Sequence, residues 1–307
     1  MEKSLPEIIC FGEALTDVIR TGPDTWKSVP GGSPWNVAMV LSHFGAACAF
    51  GGAISSDCFG EALWAASQRA GLDLRFMQRR DKSPLLAIVH ETHPPQYYFI
   101  GDDSADLYFS IEALPAGWAQ AVQWAHFGGI SLVRQPLGER LVALAEQLHQ
   151  QGVRISYDPN FRNLMDARYD PLLHRMVAIA DLIKVSEEDL RGLFRTADEN
   201  AALARLRALN PDAACFYTRG GEVAALYAAG QCWQALPPRV DVVDTVGAGD
   251  TSLAGLLCSL MRHPDAGWAT HLRTALAAGA GACLAAGASP PSASTVNRLA
   301  QSVQFIT

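Results

Sequence analysis

The sequence lacks the features that mark several classes of protein. Its seven cysteines are scattered and form no Cys-x-x-Cys pair, which favours reduced, buried thiols in a cytoplasmic protein. The net charge of −7 argues against nucleic acid or an anionic membrane as the main partner. The first residues lack the basic-then-apolar form of a signal peptide. The longest run of small apolar residues, 275–288, is too short and too rich in glycine and alanine to span a bilayer.

Motifs of several enzyme classes are also missing. Lysine occurs only at positions 3, 27, 82 and 184, and no Gly-Lys-Ser/Thr is present, which excludes a P-loop enzyme. After the first apolar run the chain reads Phe-Gly-Glu-Ala-Leu, where a Rossmann dinucleotide fingerprint would stand. No His-Glu-x-x-His or Gly-x-Ser-x-Gly segment indicates zinc or serine hydrolase chemistry. A nucleotide-binding oxidoreductase is therefore a distant alternative.

Hydrophobic periodicity predicts alternating strands and helices. Short apolar runs typical of buried strands lie at 8–12, 47–54, 124–127, 153–157, 182–185 and 213–218. Predicted helices lie between them at 35–44, 58–71, 137–150, 172–180, 187–194 and 200–209. This alternation predicts an α/β protein with a mostly parallel sheet and helices on both faces. Segments from about 15–30 and 84–108, the latter a hairpin turning around His93-Pro94-Pro95, predict a smaller β-sheet lid inserted in a single domain of residues 1–307.

The segment Asp244-Thr245-Val246-Gly247-Ala248-Gly249-Asp250 is predicted to be a tight turn that opens an apolar helix. Gly247 and Gly249 permit close approach of a ligand. Their amides would lie at the helix N-terminus, where unpaired N–H groups and the helix dipole favour an anion. Asp250 is out of place beside an anion unless its carboxylate has a chemical task. Capping of the helix is the alternative, and the turn alone leaves both interpretations open.

Other polar clusters follow predicted strands. Arg162 and Lys184 suit phosphate oxygens, the acidic run 187–189 suits a hydrated Mg²⁺, and Thr218 with Gly220 offers a hydroxyl and an amide. The acidic run could also be an ordinary helix start, and Arg162 could form a surface ion pair. Because the carboxyl ends of parallel strands share one edge, the clusters together favour phosphoryl transfer.

An earlier segment, Gly31-Gly32-Ser33-Pro34-Trp35-Asn36, is predicted to turn into a helix that Ser33 caps. Asn36 would lie in the first helical turn, at the same end of the sheet as Asp17. A buried amide there needs hydrogen-bond partners, so a binding role competes with a purely structural one.

These motifs resemble those of the ribokinase-like, or PfkB-type, carbohydrate kinases, and most of all the fructokinase branch. The resemblance is carried by Asp-Thr-x-Gly-Ala-Gly-Asp at 244–250, Gly-Gly-Ser-Pro-Trp-Asn at 31–36, Asp-Pro-Asn-x-Arg at 158–162 and Lys-Val-Ser-Glu-Glu-Asp at 184–189. It spans roughly residues 7 to 290. It implies a Rossmann-like three-layer α/β/α body with a small β lid, and transfer of the γ-phosphate of ATP to a sugar hydroxyl.

The resemblance also implies roles for individual residues. Asp250 is the general base for the primary hydroxyl of the sugar, and the amides of Gly247, Ala248 and Gly249 hold the charge of the transferring group. The implied sugar ligands are Asp17, Gly31, Gly32, Asn36 and Arg162. The implied ATP contacts are Lys184, Ser186, Thr218, Gly220 and Gly249. The implied metal sites are Glu188 and Asp189 for Mg²⁺ through water, and Asp244, Val246, Ala285 and Gly287 for K⁺.

The sequence therefore predicts an ATP-dependent fructokinase that forms the 6-phosphate and dimerises through the lid. Ser186 stands where ribokinases carry Asn, and residues 287–291 form a looser tail than the monovalent-cation loop of the family. A 2-keto-3-deoxygluconate or nucleoside-type kinase is the alternative within the family, and Arg162 leaves a sugar acid open. A non-catalytic sugar-binding regulatory protein is the alternative of another class, and the presence of Asp250 argues against it.

Overall fold

A computed structural model, which describes residues 4–92 and 95–306, contains one large and one small sheet. The strands are β1 (Ile8–Phe11), β2 (Leu15–Arg20), β3 (Trp26–Gly31), β4 (Cys48–Ser55), β5 (Met77–Arg80), β6 (Leu86–Thr92), β7 (Pro95–Ile100), β8 (Trp124–Gly128), β9 (Arg154–Asp158), β10 (Leu182–Ser186), β11 (Ala214–Thr218), β12 (Ala224–Ala228), β13 (Gln231–Leu236) and β14 (Gln304–Phe305). The helices are α1 (Ser33–His43), α2 (Cys58–Ala70), α3 (Trp118–Ala121), α4 (Leu137–Gln150), α5 (Asp170–Ile179), α6 (Glu187–Phe194), α7 (Glu199–Leu209), α8 (Ala248–Arg262), α9 (Trp268–Ala282) and α10 (Ala293–Ala300).

The large sheet has ten strands in the order β14-β13-β12-β11-β10-β9-β8-β1-β4-β5. Neighbouring strands from β5 to β11 are parallel, and those from β11 to β14 are antiparallel. Parallel neighbours require crossover connections, which α1, α2 and α4 to α7 supply between successive strands. The predicted α/β fold with a mostly parallel sheet is thus confirmed.

Two cores cover the two faces of the large sheet. Ile9 and Phe11 of β1 belong to a core with α4 to α7, whereas Ile8 and Cys10 belong to a core with α1, α8 and α9. All four side chains are fully buried. This burial explains why the first strand reads as a continuous apolar run, since a central parallel strand has no solvent-facing side.

The small sheet has four strands in the order β3-β2-β6-β7. β2 pairs with β6 in parallel and the other two pairs are antiparallel, so the sheet is mixed. Leu15, Leu85 and Ala87 of this sheet form a compact core with Ile130, which follows β8 of the body. Residues 105–108, which the sequence includes in the lid, form a 3-10 turn instead. The predicted turn at His93 and Pro94 lies outside the described residues.

Two helix ends differ from the sequence-based expectation. The N-cap of α1 is Gly32, with φ of 110°, and Ser33 is the first helical residue without a capping bond. The predicted cap is wrong because the Ser33 hydroxyl is bonded elsewhere, as described below. Helix α9 ends at Ala282, inside the predicted small-residue run. Among the described residues, no helix has the length and apolar character that crossing a membrane requires.

Candidate active site

A cavity of about 270 Å³ opens at the carboxyl edge of the parallel strands. Its floor comes from the segments after β1, β8 and β9, which are represented by Glu13, Gly129 and Asn160. The small sheet covers it with Ala87 and Phe99, and the start of α8 forms one wall. The predicted residues that line it are Asp17, Gly32, Asn36, Arg162, Lys184, Val246, Gly247, Gly249 and Asp250. Residues from eight separate segments therefore meet where open α/β sheets bind ligands.

Asp250 lies at the bottom of the cavity wall and is 9% exposed. Its Oδ1 accepts a hydrogen bond from the Ser33 hydroxyl at 2.7 Å, and its Oδ2 accepts one from the Asn36 amide at 2.8 Å. The N-cap of α8 is Gly247, and no side chain caps this helix. The capping interpretation of Asp250 is thus wrong, because both carboxylate oxygens point to α1.

Burial raises the pKa of Asp250 above its ordinary value. The hydrogen bonds from Ser33 and Asn36 and the charges of Lys184 and Arg162 oppose that rise. Desolvation favours the neutral acid, while donors and cations favour the carboxylate. The site thereby gives Asp250 more basicity than an exposed aspartate and still supports its ionised form.

Asp17 and the glycine pair form the opposite wall. A Cβ on Gly31 would lie 2.3 Å from Asp17 Oδ2, so only glycine permits this approach. Burial raises the pKa of Asp17 to about 6, Arg162 lowers it and Asp250 raises it further. Gly31 therefore supports the Asp17 carboxylate from behind and is not itself part of the cavity lining, whereas Gly32 is.

Arg162 is tied to its own loop. Its Nη1 donates to Asn160 Oδ1 at 2.8 Å and to the Phe161 carbonyl at 2.7 Å. Its guanidinium lies 4.9 Å from the ring centre of Tyr97, on β7 of the small sheet. In the described part of the chain, it makes no ion pair within 4 Å, so the surface ion-pair interpretation is wrong. Arg162 thus presents a positive charge to the cavity, where it acts on the Asp17 and Asp250 carboxylates.

Lys184 lies in a buried ionic group. Its Nζ is 3.1 Å from Asp158 Oδ2 and 3.8 Å from Asp189 Oδ2. Burial alone lowers the pKa of Lys184, but the two carboxylates raise it above the ordinary value. Burial raises the pKa of Asp158 to about 7, against the opposing effect of Lys184. A Cβ on Gly249 would lie 3.4 Å from Nζ, so this ammonium stands directly beside the start of α8.

Ser186 and Asp189 form a reciprocal capping box at the start of α6. Asp189 Oδ2 accepts from the amide and the hydroxyl of Ser186, and Oδ1 accepts from the amide of Phe161 at 2.7 Å. Glu188 is exposed and faces a neighbouring groove. Among the described residues, no group of three or more His, Cys, Asp or Glu side chains could hold a metal ion. The magnesium role of both acids therefore stays a prediction without geometric support.

The turn before α8 supplies fewer free amides than the sequence suggests. The amide of Ala248 donates to the Thr245 carbonyl at 3.1 Å, which closes the turn. Gly247 adopts φ of 75°, a left-handed conformation that favours glycine. Gly249 and Asp250 lie in the first helical turn, where N–H groups have no intrahelical acceptor. The Ala248 amide is therefore occupied by the turn, and Lys184 Nζ lies beside Gly249. The anion site at 247–249 stays a prediction.

Thr218 and Gly220 lie beyond the cavity. Thr218 ends β11 and pairs in register with Ser186 on β10, and Gly220 is exposed with φ of 52°. Thr218 thus ends the strand next to that of Lys184, and the binding of ATP by Thr218 and Gly220 stays a prediction.

The predicted potassium loop is held together by Asp244. Its Oδ1 accepts from the Val246 amide at 3.1 Å, and its Oδ2 accepts from the Gly287 amide at 2.8 Å. Ala285 is exposed in the same connection after α9. The two segments that the sequence assigns to a cation are therefore adjacent, and backbone oxygen donors suit a hard cation.

Two residues of the cavity lining, Ser33 and Glu13, were not among the predicted site residues. Ser33 contacts Asp250, and its signal was its position three residues before Asn36, on the same face of a helix. Glu13 is 3% exposed, and its carboxylate accepts from the amides of Ile130 and Ser131 and from the Ser131 hydroxyl. Burial raises the pKa of Glu13 to about 7, against these hydrogen bonds. Its signal was an acid placed directly after a fully apolar strand.

Comparisons with known proteins agree with this architecture. A family model described as pfkB family carbohydrate kinase matches residues 5–295. A fructokinase of Klebsiella pneumoniae is 33% identical over 296 residues, which cover 92% of this chain and 94% of that protein. An aminoimidazole riboside kinase of Salmonella typhimurium is 30% identical over 266 residues, which cover 85% and 82%. A fructokinase of Xylella fastidiosa, solved with bound ATP, superimposes with a TM-score of 0.86 at 27% identity, covering 97% of this chain and 99% of that chain.

Proposed function

Because this chain belongs to the pfkB family of carbohydrate kinases, and is thus an ATP-dependent sugar kinase, we propose that it phosphorylates the primary hydroxyl of fructose to give fructose 6-phosphate. The observation that carries the mechanism is the buried Asp250 carboxylate, held by two donors in the wall of a polar cavity. The relative at 33% identity is named a fructokinase, which supports fructose as the acceptor.

The cavity suits a small polyol. Its volume of about 270 Å³ is near the lower end of ligand pockets, which span roughly 300–1,000 Å³. Asp17 accepts hydrogen bonds from sugar hydroxyls and Asn36 can both donate and accept. Leu15, Ala87 and Ile130 give an apolar wall that packs against the carbon face of the ring. In this arrangement, orientation comes from few polar groups on rigid elements.

Phosphoryl transfer requires positioning and charge neutralisation more than covalent chemistry. Asp250 accepts the proton of the attacking hydroxyl as the bond from its oxygen to the γ-phosphorus forms and the bond to ADP breaks. The amide of Gly249 and the ammonium of Lys184 neutralise charge on the transferring group, an effect worth about 3–4 kcal/mol per well-placed donor. Mg²⁺, when bound with ATP, screens the phosphate charges during binding.

We also propose a monovalent cation beside the Asp244 loop. The Asp244 carboxylate ties residues 244–246 to Gly287, and a cation bound to nearby carbonyl oxygens would stabilise this turn. K⁺ is expected to raise kcat relative to Na⁺ at equal ionic strength. Asp244→Ala should abolish that difference, and equal rates with both salts in the wild type would contradict the proposal.

A nucleoside-type acceptor is the second candidate. Tyr97 and Phe99 are stacked, with ring centres 6.1 Å apart, and both line the cavity. Aromatic side chains of this kind can stack on a planar base. The relative at 30% identity is named an aminoimidazole riboside kinase, which also favours a nucleoside-type acceptor. Arg162 keeps a sugar acid such as 2-keto-3-deoxygluconate as a third acceptor, since its guanidinium suits a carboxylate.

A substrate panel tests these proposals. Fructose, other sugars, sugar acids and nucleosides are assayed for ATP-dependent phosphorylation, with wild type, Asp250→Asn and Asp241→Asn compared. Asp241 is an exposed aspartate close to the same motif and serves as the matched control. We expect Asp250→Asn to lower kcat by about 10²–10⁴-fold with little change in sugar binding, and Asp241→Asn to leave it unchanged.

The outcomes separate the parts of the proposal. Wild-type turnover by Asp250→Asn would refute the general-base assignment. If fructose is not phosphorylated but another acceptor of the panel is, fructose is refuted as the substrate and the kinase assignment stands. Sugar binding by calorimetry without turnover of any acceptor would favour the non-catalytic binding protein.

We further propose a homodimer formed through the small sheet. Its outer strands expose Trp26 at 46%, Tyr98 at 65% and Ile100 at 47%. Large apolar side chains grouped on an exposed face mark interaction surfaces. Tyr98→Glu should therefore shift the sedimentation coefficient from dimer to monomer, and a monomeric wild type would exclude this assembly.

A further inference from the structure

The two oxygens of Asp250 have chemically different partners. Oδ1 accepts from the hydroxyl of Ser33 and Oδ2 from the amide nitrogen of Asn36. Both donors lie in the first turn of α1, three residues apart, so they share one face of the helix. Ser33 is 7% exposed and Asp250 is 9% exposed, so water competes weakly for these bonds.

Only Ser33 can follow a change in the protonation state of Asp250 by moving a single hydrogen, whereas Asn36 would have to turn its whole amide group to present its oxygen. An amide NH₂ group donates and cannot accept, whereas a hydroxyl does both. Asn36 therefore suits the carboxylate through its Nδ2. Ser33 can donate to the carboxylate and can accept from the carboxylic acid by rotating its own proton away.

We propose that Ser33 is a positioning residue for phosphoryl transfer, whose hydroxyl holds Oδ1 of Asp250 before proton transfer and accepts a hydrogen bond from it afterwards. The inference rests on the proposed role of Asp250 as general base. The proton leaves the sugar hydroxyl and stays on Asp250, while the sugar oxygen keeps the electron pair that forms the bond to the γ-phosphorus. The bond from the γ-phosphorus to ADP breaks, and ADP leaves with its electron pair. Ser33 gains and loses no proton in this step.

Several charged groups face Asp250 besides its two hydrogen-bond donors. Lys184 of β10 and Arg162 after β9 favour the ionised form. Asp17 of β2 and Asp158 of β9 interact with it as like charges, and the Tyr97 phenol of β7 lies in the same field. Burial raises the pKa of Asp250, and the Ser33 hydrogen bond is the first of the contributions that lower it. Loss of that bond must therefore raise the pKa.

The test compares the pH profile of kcat/KM in Ser33→Ala, Ser33→Thr and wild type. Because a base acts when ionised, kcat/KM falls on the acid side. Ser33→Ala should move the acid-side midpoint upward by about one pH unit, as expected for the loss of a hydrogen bond to a charged group. The loss should fall on kcat more than on KM. Ser33→Thr keeps the hydroxyl and should restore the wild-type midpoint.

Ser67→Ala is the matched control. The buried Ser67 hydroxyl accepts from Trp35 of α1 at 2.9 Å and donates to the Leu63 carbonyl. Its removal also loosens α1 but does not touch Asp250, so the melting temperature should fall and the pH midpoint should stay.

A direct readout separates this inference from the proposed function. The carboxyl carbon of Asp250, assigned with Asp250→Asn, is titrated by NMR without substrate in wild type and Ser33→Ala. A higher titration midpoint of this carbon in Ser33→Ala supports a hydrogen bond from Ser33 that stabilises the Asp250 carboxylate, even if no acceptor is phosphorylated. Identical carbon titrations in the two proteins would overturn the inference, even if the enzyme is an active fructokinase.

Discussion

At the scale of single residues, the site contains several buried acidic side chains. Burial raises the pKa values of Glu13, Asp17, Asp158 and Asp250. Each acid has a different compensating partner, so each has a different task. Glu13 binds backbone amides, Asp158 pairs with Lys184, and Asp250 accepts from α1. These different partners fit the proposal that Asp250, rather than Glu13 or Asp158, accepts the substrate proton.

A first prediction concerns the pH dependence of activity. The pKa of Asp17 is raised to about 6 and that of Asp250 is raised as well. Both act as carboxylates, so kcat/KM should rise with pH through about 6 and level off above 7. Asp17→Asn should raise KM for the sugar. It should also leave Asp250 as the titrating acid of this pair on the acid side of the kcat/KM profile. A rate that is constant down to about pH 5 would contradict both assignments.

A second prediction concerns Lys184. Lys184→Met should leave Asp158 buried without its cation, and removing one partner of a buried pair costs about 3–5 kcal/mol. Lys184→Met/Asp158→Asn removes both charges and should recover much of the unfolding free energy but not the turnover. Chemical denaturation and steady-state rates measure the two effects separately. Full activity of the double variant would show that the ammonium has no catalytic task.

At the scale of elements, α1 and α8 form the site together. Gly247 is the N-cap of α8, and a Cβ there would lie 2.7 Å from the Cβ of Ala288 in the connection after α9. Gly32 is the N-cap of α1, which presents Ser33 and Asn36 to Asp250. The start of each helix, rather than its middle, therefore lines the cavity, and helix starts combine glycine turns with unpaired amides.

A third prediction uses two glycines with the same backbone conformation. Gly247 and Gly117 both precede a helix, with φ of 75° and 77°. Alanine at either position costs about 1–2 kcal/mol for the left-handed conformation. A Cβ added at Gly117 has nothing within 4 Å, whereas a Cβ added at Gly247 would clash with Ala288. Gly247→Ala should therefore lose at least about ten-fold in kcat, and Gly117→Ala should keep its kcat. Equal kcat values for Gly247→Ala and Gly117→Ala would show that the conformation of the turn before α8 does not affect catalysis.

At the scale of the whole molecule, the small sheet and the body share the cavity. Tyr97 and Phe99 come from the small sheet, whereas Arg162 and Asp250 come from the body. The ring of Tyr97 meets the guanidinium of Arg162 across this boundary. Substrate bound between them would contact both parts, so sugar should raise the melting temperature of the whole chain.

A fourth prediction concerns stability and pH. Glu13 and Asp158, with pKa values raised to about 7, and Asp17, at about 6, hold protons in the folded chain that the unfolded chain has released. Stability therefore falls as pH rises from about 4 to about 7. His126 and His271 oppose this trend below their ordinary pKa, since burial lowers both pKa values, that of His126 to about 3. They are two groups against four, because burial also raises the pKa of Asp250.

The free energy of unfolding should accordingly be higher near about pH 5.5 than near about pH 7.5. Denaturant titrations at several pH values measure it, and Glu13→Gln should reduce the slope. A free energy that increases steadily across this range would mean that these acids are ionised in the folded protein.

The sequence by itself determined the alternation of strands and helices, the small sheet and the turn at 244–250. Apolar periodicity and small-residue turns are local signals, so neighbours along the chain suffice to read them. The resemblance to the kinase family, confirmed by the matched family model, also follows from short segments. The interpretation of Asp250 as more than a helix cap depended on the other polar motifs, which lie far from it in the sequence.

Only the tertiary structure decided which groups those motifs bring into contact. Ser33 and Asn36 lie 217 and 214 residues from Asp250 along the chain, and no local pattern links them. The same is true of Lys184, which pairs with Asp158, and of Asp189, whose carboxylate accepts from the Phe161 amide. The capping box that joins Asp189 to Ser186 is by contrast a local pattern. Hydrogen bonds act over about 3 Å, so partners are fixed by how sheets and helices pack, whereas residue types and spacing only state which partners are available.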